Sequence, residues 1–527
     1  MNDRYDVVTI GSGHNGLIAA AYLARAGKRV LIVERNSILG GGVVTSEVAA
    51  PGFRHDWHSA VHVLIQANPL LVNDELGLLS EFGLKYICPE PIYSTVFDDG
   101  DYIVSFKDVE KTCASIAHIS ADDAEAYRLF AQQAAAMVPL MLQGMFVPPP
   151  PQGMFWSLLD QSPEGRGLMH IMQKSMLDIV NEHFSNEKTK IHLMRGAAEL
   201  LVNPDEKGTG ALLLNMVGLT HGSAWGIPEG GSGALVDALE RCLTKLGAEF
   251  QTSVEVDKVL VSGGKATGIR LTTGETIAAD VVIGQIHPWL LGEMVENIDP
   301  GLARRALATK ASGYTLMSSM YALNQAPQLR VPPEAARTIL TLFAPASLEA
   351  YLRLYDDIRY GDLPGALAVC AYDHAQWDPS RAPAGGGTLD VVSFCPFELR
   401  NGGASAWDEQ KDDLQRQLHE IAVQICSNLD EPNIAGSAFH TPMDALRYSP
   451  TFQHGDVGGL AKFFFQIGGH RPTPELSQYA VPGAEGLYLA GAFMHPPGGV
   501  TGGGRATAIR ICEDLGIDFD SLLGKAR

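Results

Sequence analysis

The chain has 527 residues, 46% of them hydrophobic and 19% charged, enough for two or three domains with sizeable interiors. Its 60 acidic and 39 basic side chains leave a net charge of −21, so a phosphate backbone would be repelled and nucleic acid is excluded as a partner. Seven scattered cysteines with no CxxC pair suggest reduced thiols and neither a disulfide framework nor a metal site.

At the N-terminus, Asp3, Arg4 and Asp6 flank a short apolar run with no basic n-region or apolar h-region, so no export is expected and a cytoplasmic setting is predicted. Apolar runs fall short of the roughly 18 to 20 residues that span a bilayer. Contact with a membrane surface stays open.

Tyr5–Ile10 (YDVVTI) reads as a buried strand and runs straight into Gly11-Ser12-Gly13-His14-Asn15-Gly16. A helical pattern, LIAAAYLARAGKR, follows, and a second strand, Val30–Val33, ends at Glu34. This is a βαβ unit with a GxGxxG fingerprint. Gly11 permits the tight turn, Gly13 admits a pyrophosphate, and Gly16 lets helix pack on strand. The helix start, with His14 and Asn15, offers N–H groups to phosphate. Glu34, about 18 residues after Gly16, is placed to accept ribose hydroxyls and argues against a 2′-phosphate. Arg35 and a second glycine cluster, Gly40-Gly41-Gly42, come next.

Four prolines at 148 to 151, flanked by Met and aromatic residues, predict a stiff extended segment. It would either line a lipophilic entrance, with membrane contact, or form a packed interdomain loop. From Gly226 to Gly233 a glycine-rich turn leads into an amphipathic helix, and a β-meander follows through 249–252, 254–261, 266–272 and 279–283. Val256 is placed against an adenine or in the core. TLMSSMYALN and LDVVSFCPF read as strands of a second sheet, and DEQKDDLQRQLHEIAVQI as a helix with a solvated face. Near the C-terminus the apolar run Leu487–Ala490 leads into Gly491, Ala492 and HPPGGVTGGG, ahead of a final helix.

GHNGLIAAAYLARAGKRVLIVER, PGFRHDWHSAVH, WGIPEGGSGALVDAL, HGDVGG, GGHRPTPELSQY and GLYLAGAFMHPPGGVTGGG together resemble the two-dinucleotide-domain flavoproteins. More narrowly, the chain is similar to their phytoene desaturase-like branch, which includes carotenoid desaturases and retinol saturase-like proteins. The resemblance is dense at both ends and near residue 230, and poor over about 90–220 and 300–445. Two departures, Pro497 and the run Gln285-Ile286-His287-Pro288, are expected near the active-site entrance.

The resemblance implies an α/β fold, with a Rossmann-like FAD-binding domain built from discontinuous segments and an inserted α+β substrate domain. The cofactor domain is expected over 1–88, 222–292 and 450–527, and the substrate domain over 89–221 and 293–449. FAD is expected against Gly11, Gly13, His14, Asn15, Gly16, Glu34, Arg35, Gly41, Gly42 and Val256. Gly491 and Ala492 would pass the ribityl-pyrophosphate end, and Gly499, Val500 and Thr501 would lie beneath the isoalloxazine ring. The final helix is expected to aim its first N–H groups at the flavin.

The implied activity is an FAD-dependent oxidoreductase acting on a small, largely apolar substrate, by desaturation or saturation of C–C bonds. Oxygen-using amine or alcohol oxidation and flavin-dependent isomerisation are the alternatives. His14, His55, His58, His62, His470 and His495 are candidates for proton transfer near neutral pH, His495 first among them, with loop hydrogen bonding as the other reading of each. Arg471 would stabilise a carboxylate or reduced flavin, or shape its loop through a salt bridge. Lys462, in AKFFFQ, reads as part of a strand and is set aside as a flavin-side lysine.

Overall fold

The computed structural model describes residues 4–365 and 368–523. Two seven-stranded sheets organise the chain. In the first, β1 (Arg4–Ile10) lies between β2 (Val30–Val33) and Thr276–Gly284, parallel to both, with Val7 opposite Val30 and Val281. Glu249–Gln251 extends this sheet beyond β2, and Leu487–Leu489 runs parallel to Thr276–Gly284. Val256–Ser262 and Lys265–Leu271 complete it as an antiparallel meander. The all-apolar β2 is buried throughout, as a parallel strand covered on both faces must be.

Helix α1 (His14–Arg25) is buried from His14 through Ala24. Its run of alanines and Gly16 lets it approach β1 and the helix Gly504–Leu515 closely; a Cβ on Gly504 would overlap the Asn15 carbonyl.

The second sheet runs in the order 434–440, 315–323, 387–395, 369–372, 340–344, 93–97, 102–105. It is antiparallel except where Leu340–Ala344 pairs with Tyr93–Phe97. Alternation sets its two faces. Met317 and Tyr321 enter a core with Trp407, Leu414 and Leu418, whereas Leu316, Ser318 and Met320 face a cavity. Three helices, Ala121–Met145, Glu187–Ala198 and Gly210–Gly222, share a further core with this sheet.

A buried ionic lock joins the two parts. Arg381 pairs with Asp56 at 2.7 Å and Asp378 at 3.3 Å, all three side chains being 2% exposed or less. Asp56 and Asp378 in turn accept from Ser232 N and Gly230 N in the glycine-rich turn. No helix among the described residues is long and apolar enough to cross a membrane.

Candidate cofactor and substrate site

One cavity of about 1230 Å³ runs from the C-terminal ends of β1 and β2 to the face of the second sheet. That exceeds the roughly 300–1,000 Å³ of a single-ligand pocket, leaving room for a cofactor and a substrate together.

At its first end Gly11 adopts φ +84°, a conformation natural to glycine, and α1 starts immediately after Gly13. A Cβ on Gly41 would lie 3.1 Å from the Gly13 Cα, so the two glycine clusters meet and leave a cradle open to a pyrophosphate. Glu34 is 4% exposed and holds this turn. Its Oε2 accepts from Ser12 N at 2.9 Å and from Ser12 Oγ at 2.7 Å, and its Oε1 accepts from Asn36 N at 2.8 Å. Ser12 Oγ also accepts from Gly40 N. The carboxylate thus braces the loop as well as facing the cavity.

Gly11, Gly13, His14, Asn15, Glu34, Arg35, Gly41, Gly42, Val256, Gly491, Ala492, Gly499 and Val500 all line this one cavity. Arg35 also pairs loosely with Glu255 at 3.7 Å. Gly16 and Thr501 do not line it. Gly16 is closed off by Thr9 and Gln285, and the Thr501 carbonyl accepts from Asn68. The buried Nε2 of His14 has no protein partner, as a polar atom reserved for a ligand would not. The cradle, the acid and this free nitrogen fit a dinucleotide such as FAD.

Several expectations need correction. Of the run 285–288, Gln285 and Ile286 line the cavity, whereas His287 lies away from it. Gln285 Nε2 donates to the Gly11 carbonyl at 2.7 Å, beneath the glycine loop, and buried His287 meets the Gly459 carbonyl. The final helix does not spend its first N–H groups on the cavity, because Gly504 N donates to Asn15 Oδ1 and Gly503 N to Thr501 Oγ1. That segment reaches the cavity through Gly498, Gly499 and Val500 instead.

Arg471 lies outside the cavity lining and makes no salt bridge among the described residues. It is fully buried, and its N–H groups donate to the carbonyls of Leu460, Ala461, Gln466, Ala492 and Met494. It ties two irregular segments together, and burial lowers its pKa to about 9.

His495 lines the cavity but is not a near-neutral acid. Burial lowers its pKa to about 4, and Nε2 lies 2.9 Å from the Gly144 carbonyl, which fixes Nε2 as the protonated nitrogen. The unpartnered Nδ1 is then an acceptor only. Burial likewise keeps His14 (about 4), His62 (about 3) and His58 neutral at pH 7, so none of them titrates near neutrality. His62 is occupied by Tyr86 and Ser232, and His55 by Asp390. His470 is in a short turn outside the lining.

Two features escaped the sequence reading. Lys462 is not on a strand; the chain there is irregular until the short turn Phe464–Gln466. Its ammonium is buried in the cavity wall, donates to the Leu200 carbonyl at 2.8 Å, and is lowered to about 8, mainly by burial. It packs on Gly498, where a Cβ would come 2.6 Å from Lys462 Cε. Against Gly42 stands an aromatic wall of Trp57, His58, His440, Tyr448 and Phe452, with neighbouring ring centroids 4.9–6.2 Å apart. Of these five, only Trp57 and His58 fall in a motif that carries the family resemblance, and His58 is also among the proton-transfer candidates.

The far end of the cavity is apolar, with Leu168, Met172, Leu212, Met216 and Leu219 in its wall. Pro148–Pro150 line it too, and the tract is pinned to the C-terminal part of the chain. Gln478 Nε2 donates to the Pro149 carbonyl, Arg505 to that of Phe146, and His495 meets that of Gly144. The proline tract is therefore both a packed strap and a cavity wall.

The family model described as flavin containing amine oxidoreductase matches residues 16–323. The chain is 27% identical to the rat pyridine nucleotide-disulfide oxidoreductase domain-containing protein 2, covering 98% of this chain and 94% of that one. It is 25% identical to the lycopene-forming phytoene desaturase of Pseudescherichia vulneris, covering 96% and 99%. Among solved structures, an oxidoreductase from Methanosarcina mazei superposes with a TM-score of 0.61 at 17% identity, covering 96% of this chain and 99% of that chain.

Proposed function

As a member of the flavin containing amine oxidoreductase family, with FAD as cofactor, this chain is a flavin-dependent oxidoreductase, and we propose that its substrate is a largely apolar small molecule oxidised or reduced at a C–C bond. The observation that carries this reading is the continuity of the cavity, from the glycine cradle into a chamber walled by Leu and Met side chains. The similarity to phytoene desaturases supports it.

Bound FAD supplies two-electron chemistry, its N5 accepting or returning a hydride. The chain's own part is binding and exclusion. Glu34 would hold the ribose, Gly13 and Gly41 the pyrophosphate, and Gly491, Ala492, Gly499 and Val500 the flavin end. The neutral His14 and His495 exchange no proton near pH 7 and act as fixed hydrogen-bonding groups. Leu and Met side chains keep water from the reacting carbon and place it by shape.

The two sheets support a division into a cofactor domain over 1–88, 222–292 and 450–527 and a substrate domain over 89–221 and 293–449, since each sheet draws its strands from one set alone. Leu140 and Leu158, 45% and 58% exposed and in the cavity wall, support peripheral contact with a lipid surface at that mouth.

The test is to purify the protein, load it with FAD, and screen hydrocarbons and other apolar substrates anaerobically for bleaching of the flavin band. Bleaching by such compounds is the expected result. A protein that cannot be reconstituted with FAD, or one bleached only by short polar amines, would overturn the reading. Peroxide release in air would identify oxygen as electron acceptor.

A further inference from the structure

We propose that the chamber takes an amphiphilic substrate, an apolar body bearing a hydroxyl group, and that Glu199 is the residue that selects the hydroxyl. This rests on the reading of the chamber as the substrate site. Glu199 follows the helix Glu187–Ala198 and lines the cavity. Its side chain keeps 28% exposure, while that of Arg195, one turn earlier, keeps 1%. Arg195 Nη1 donates to Glu199 Oε1 at 2.6 Å, and its other bonds go to the carbonyls of Phe343 and Val369. Among the described residues no donor reaches Glu199 Oε2. Half of a carboxylate is thus left open in an otherwise largely apolar chamber, where an unfilled charged acceptor is costly.

A second group in the same wall has the opposite need. Trp225 lines the cavity, and its indole N–H is buried without a partner. Tyr93 connects Trp225 to the helix that precedes Glu199. Gly196, three residues before Glu199, presses on Tyr93, where a Cβ would lie 2.9 Å from the phenol, and the Tyr93 and Trp225 ring centroids are 5.8 Å apart.

One open acceptor and one open donor are the complement of a hydroxyl, whose O–H donates to Glu199 and whose lone pair accepts from the indole. An ammonium meets only the first need. Arg195 already balances Glu199, so a second cation would be buried without a counter-charge of its own. A hydrocarbon meets neither.

The position of Glu199 also orients the substrate. The next carbonyl, that of Leu200, accepts from Lys462, and Lys462 packs on Gly498 in the loop that would hold the flavin. The hydroxyl-bearing end therefore comes toward the flavin, and the tail runs to Met172 and Leu212.

The experiment titrates the FAD-loaded protein with decane, decanol and decylamine and follows the flavin absorption band. Decanol is expected to bind at least about tenfold more tightly than either of the others, as sites built around a hydroxyl do. Glu199→Gln, which keeps a partner for Arg195 but turns an amide toward the chamber, should lose most of that advantage. Should this variant fail to fold, Arg195→Met with Glu199→Leu removes the ion pair as a unit and should abolish the preference while retaining decane binding. Equal affinity for decane and decanol in the unmodified protein overturns the proposal and leaves the apolar chamber standing. Tighter binding of decylamine, or a decanol preference that survives the double substitution, overturns it as well. A flavin band unmoved by all three compounds overturns the substrate-site reading itself.

Discussion

Ser12 gives both its backbone N–H and its hydroxyl to one oxygen of Glu34, at 2.9 and 2.7 Å, while the same hydroxyl accepts from Gly40 N. The acid that would bind the ribose therefore also sets the shape of both glycine turns. Substitution Glu34→Gln is expected to lower FAD affinity by about thirtyfold or more, since a charge-assisted bond contributes about 2 kcal/mol. Ser12→Ala should lower it less, because the backbone bond survives. Equilibrium titration with FAD measures both, and equal losses would refute the ordering.

Gly13 and Gly16 are both crowded by Gln285, but for different reasons. A Cβ on Gly16 would meet the Gln285 amide and lie 3.1 Å from Thr9 Cγ2, so its cost is in folding; a Cβ on Gly13 would meet Gln285 Oε1 at a residue that itself lines the cofactor cavity. Adding Gln285→Ala should recover much of the stability of Gly16→Ala. It should leave Gly13→Ala poor in FAD. Melting temperatures and flavin content of the four variants decide this.

Lys462 gives a pH signature. Its folded-state pKa is about 8 against the usual 10.5, so between these values the unfolded chain binds more protons and stability rises with pH. The penalty of burying the ammonium is fully present below pH 8 and amounts to about 3 kcal/mol at most. Lys462→Met removes it. The variant's stability advantage over the parent should be largest at pH 7 and shrink toward pH 10, as denaturant titrations at each pH would show.

The buried histidines set an acid limit. His14 and His495 fall to about 4 and His62 to about 3, below the usual 6.5, so as pH drops below 6.5 the unfolded chain takes up protons that the folded one refuses. Stability should decline steadily from pH 6.5 toward pH 4. In His495→Asn the decline should be shallower. A parent melting temperature that is flat over this range would contradict the neutral assignment.

Arg471→Lys should be strongly destabilising although no carboxylate is lost. A lysine cannot reach five carbonyls spread over residues 460–466 and 492–494, and each one left unpaired costs about 1–3 kcal/mol. Thermal denaturation of the FAD-free protein should show the loss, which separates it from any effect on cofactor contacts.

The βαβ unit and both glycine clusters were legible because each depends on local pattern, whereas the division of the chain into two parts came from the family resemblance. A β-branched run, a glycine spacing and a helical period survive without tertiary information. The hydrogen bonding of Arg471 and His495 was not legible for the converse reason. Their partners are main-chain carbonyls of irregular segments, which carry no side-chain signature. Lys462 is hidden because AKFFFQ reads as a strand, although three phenylalanines following a lysine suit a cavity-side turn equally well. The depth of the histidines, which decides their charge, is a property of packing that no motif records.

The discontinuity of the first sheet also dictates an order of events during synthesis. β1 precedes its neighbour Thr276–Gly284 by some 250 residues, and Leu487–Leu489 and the Gly491–Val500 wall follow some 200 residues later still. The segment 144–152 is held to the C-terminal part of the chain by Gln478, His495 and Arg505. A growing chain therefore has half a nucleotide cradle and no roof for most of its synthesis. Truncation anywhere before Arg505 is therefore expected to give a colourless product, because it removes cavity-lining residues 491–500 or the Arg505 bond to Phe146.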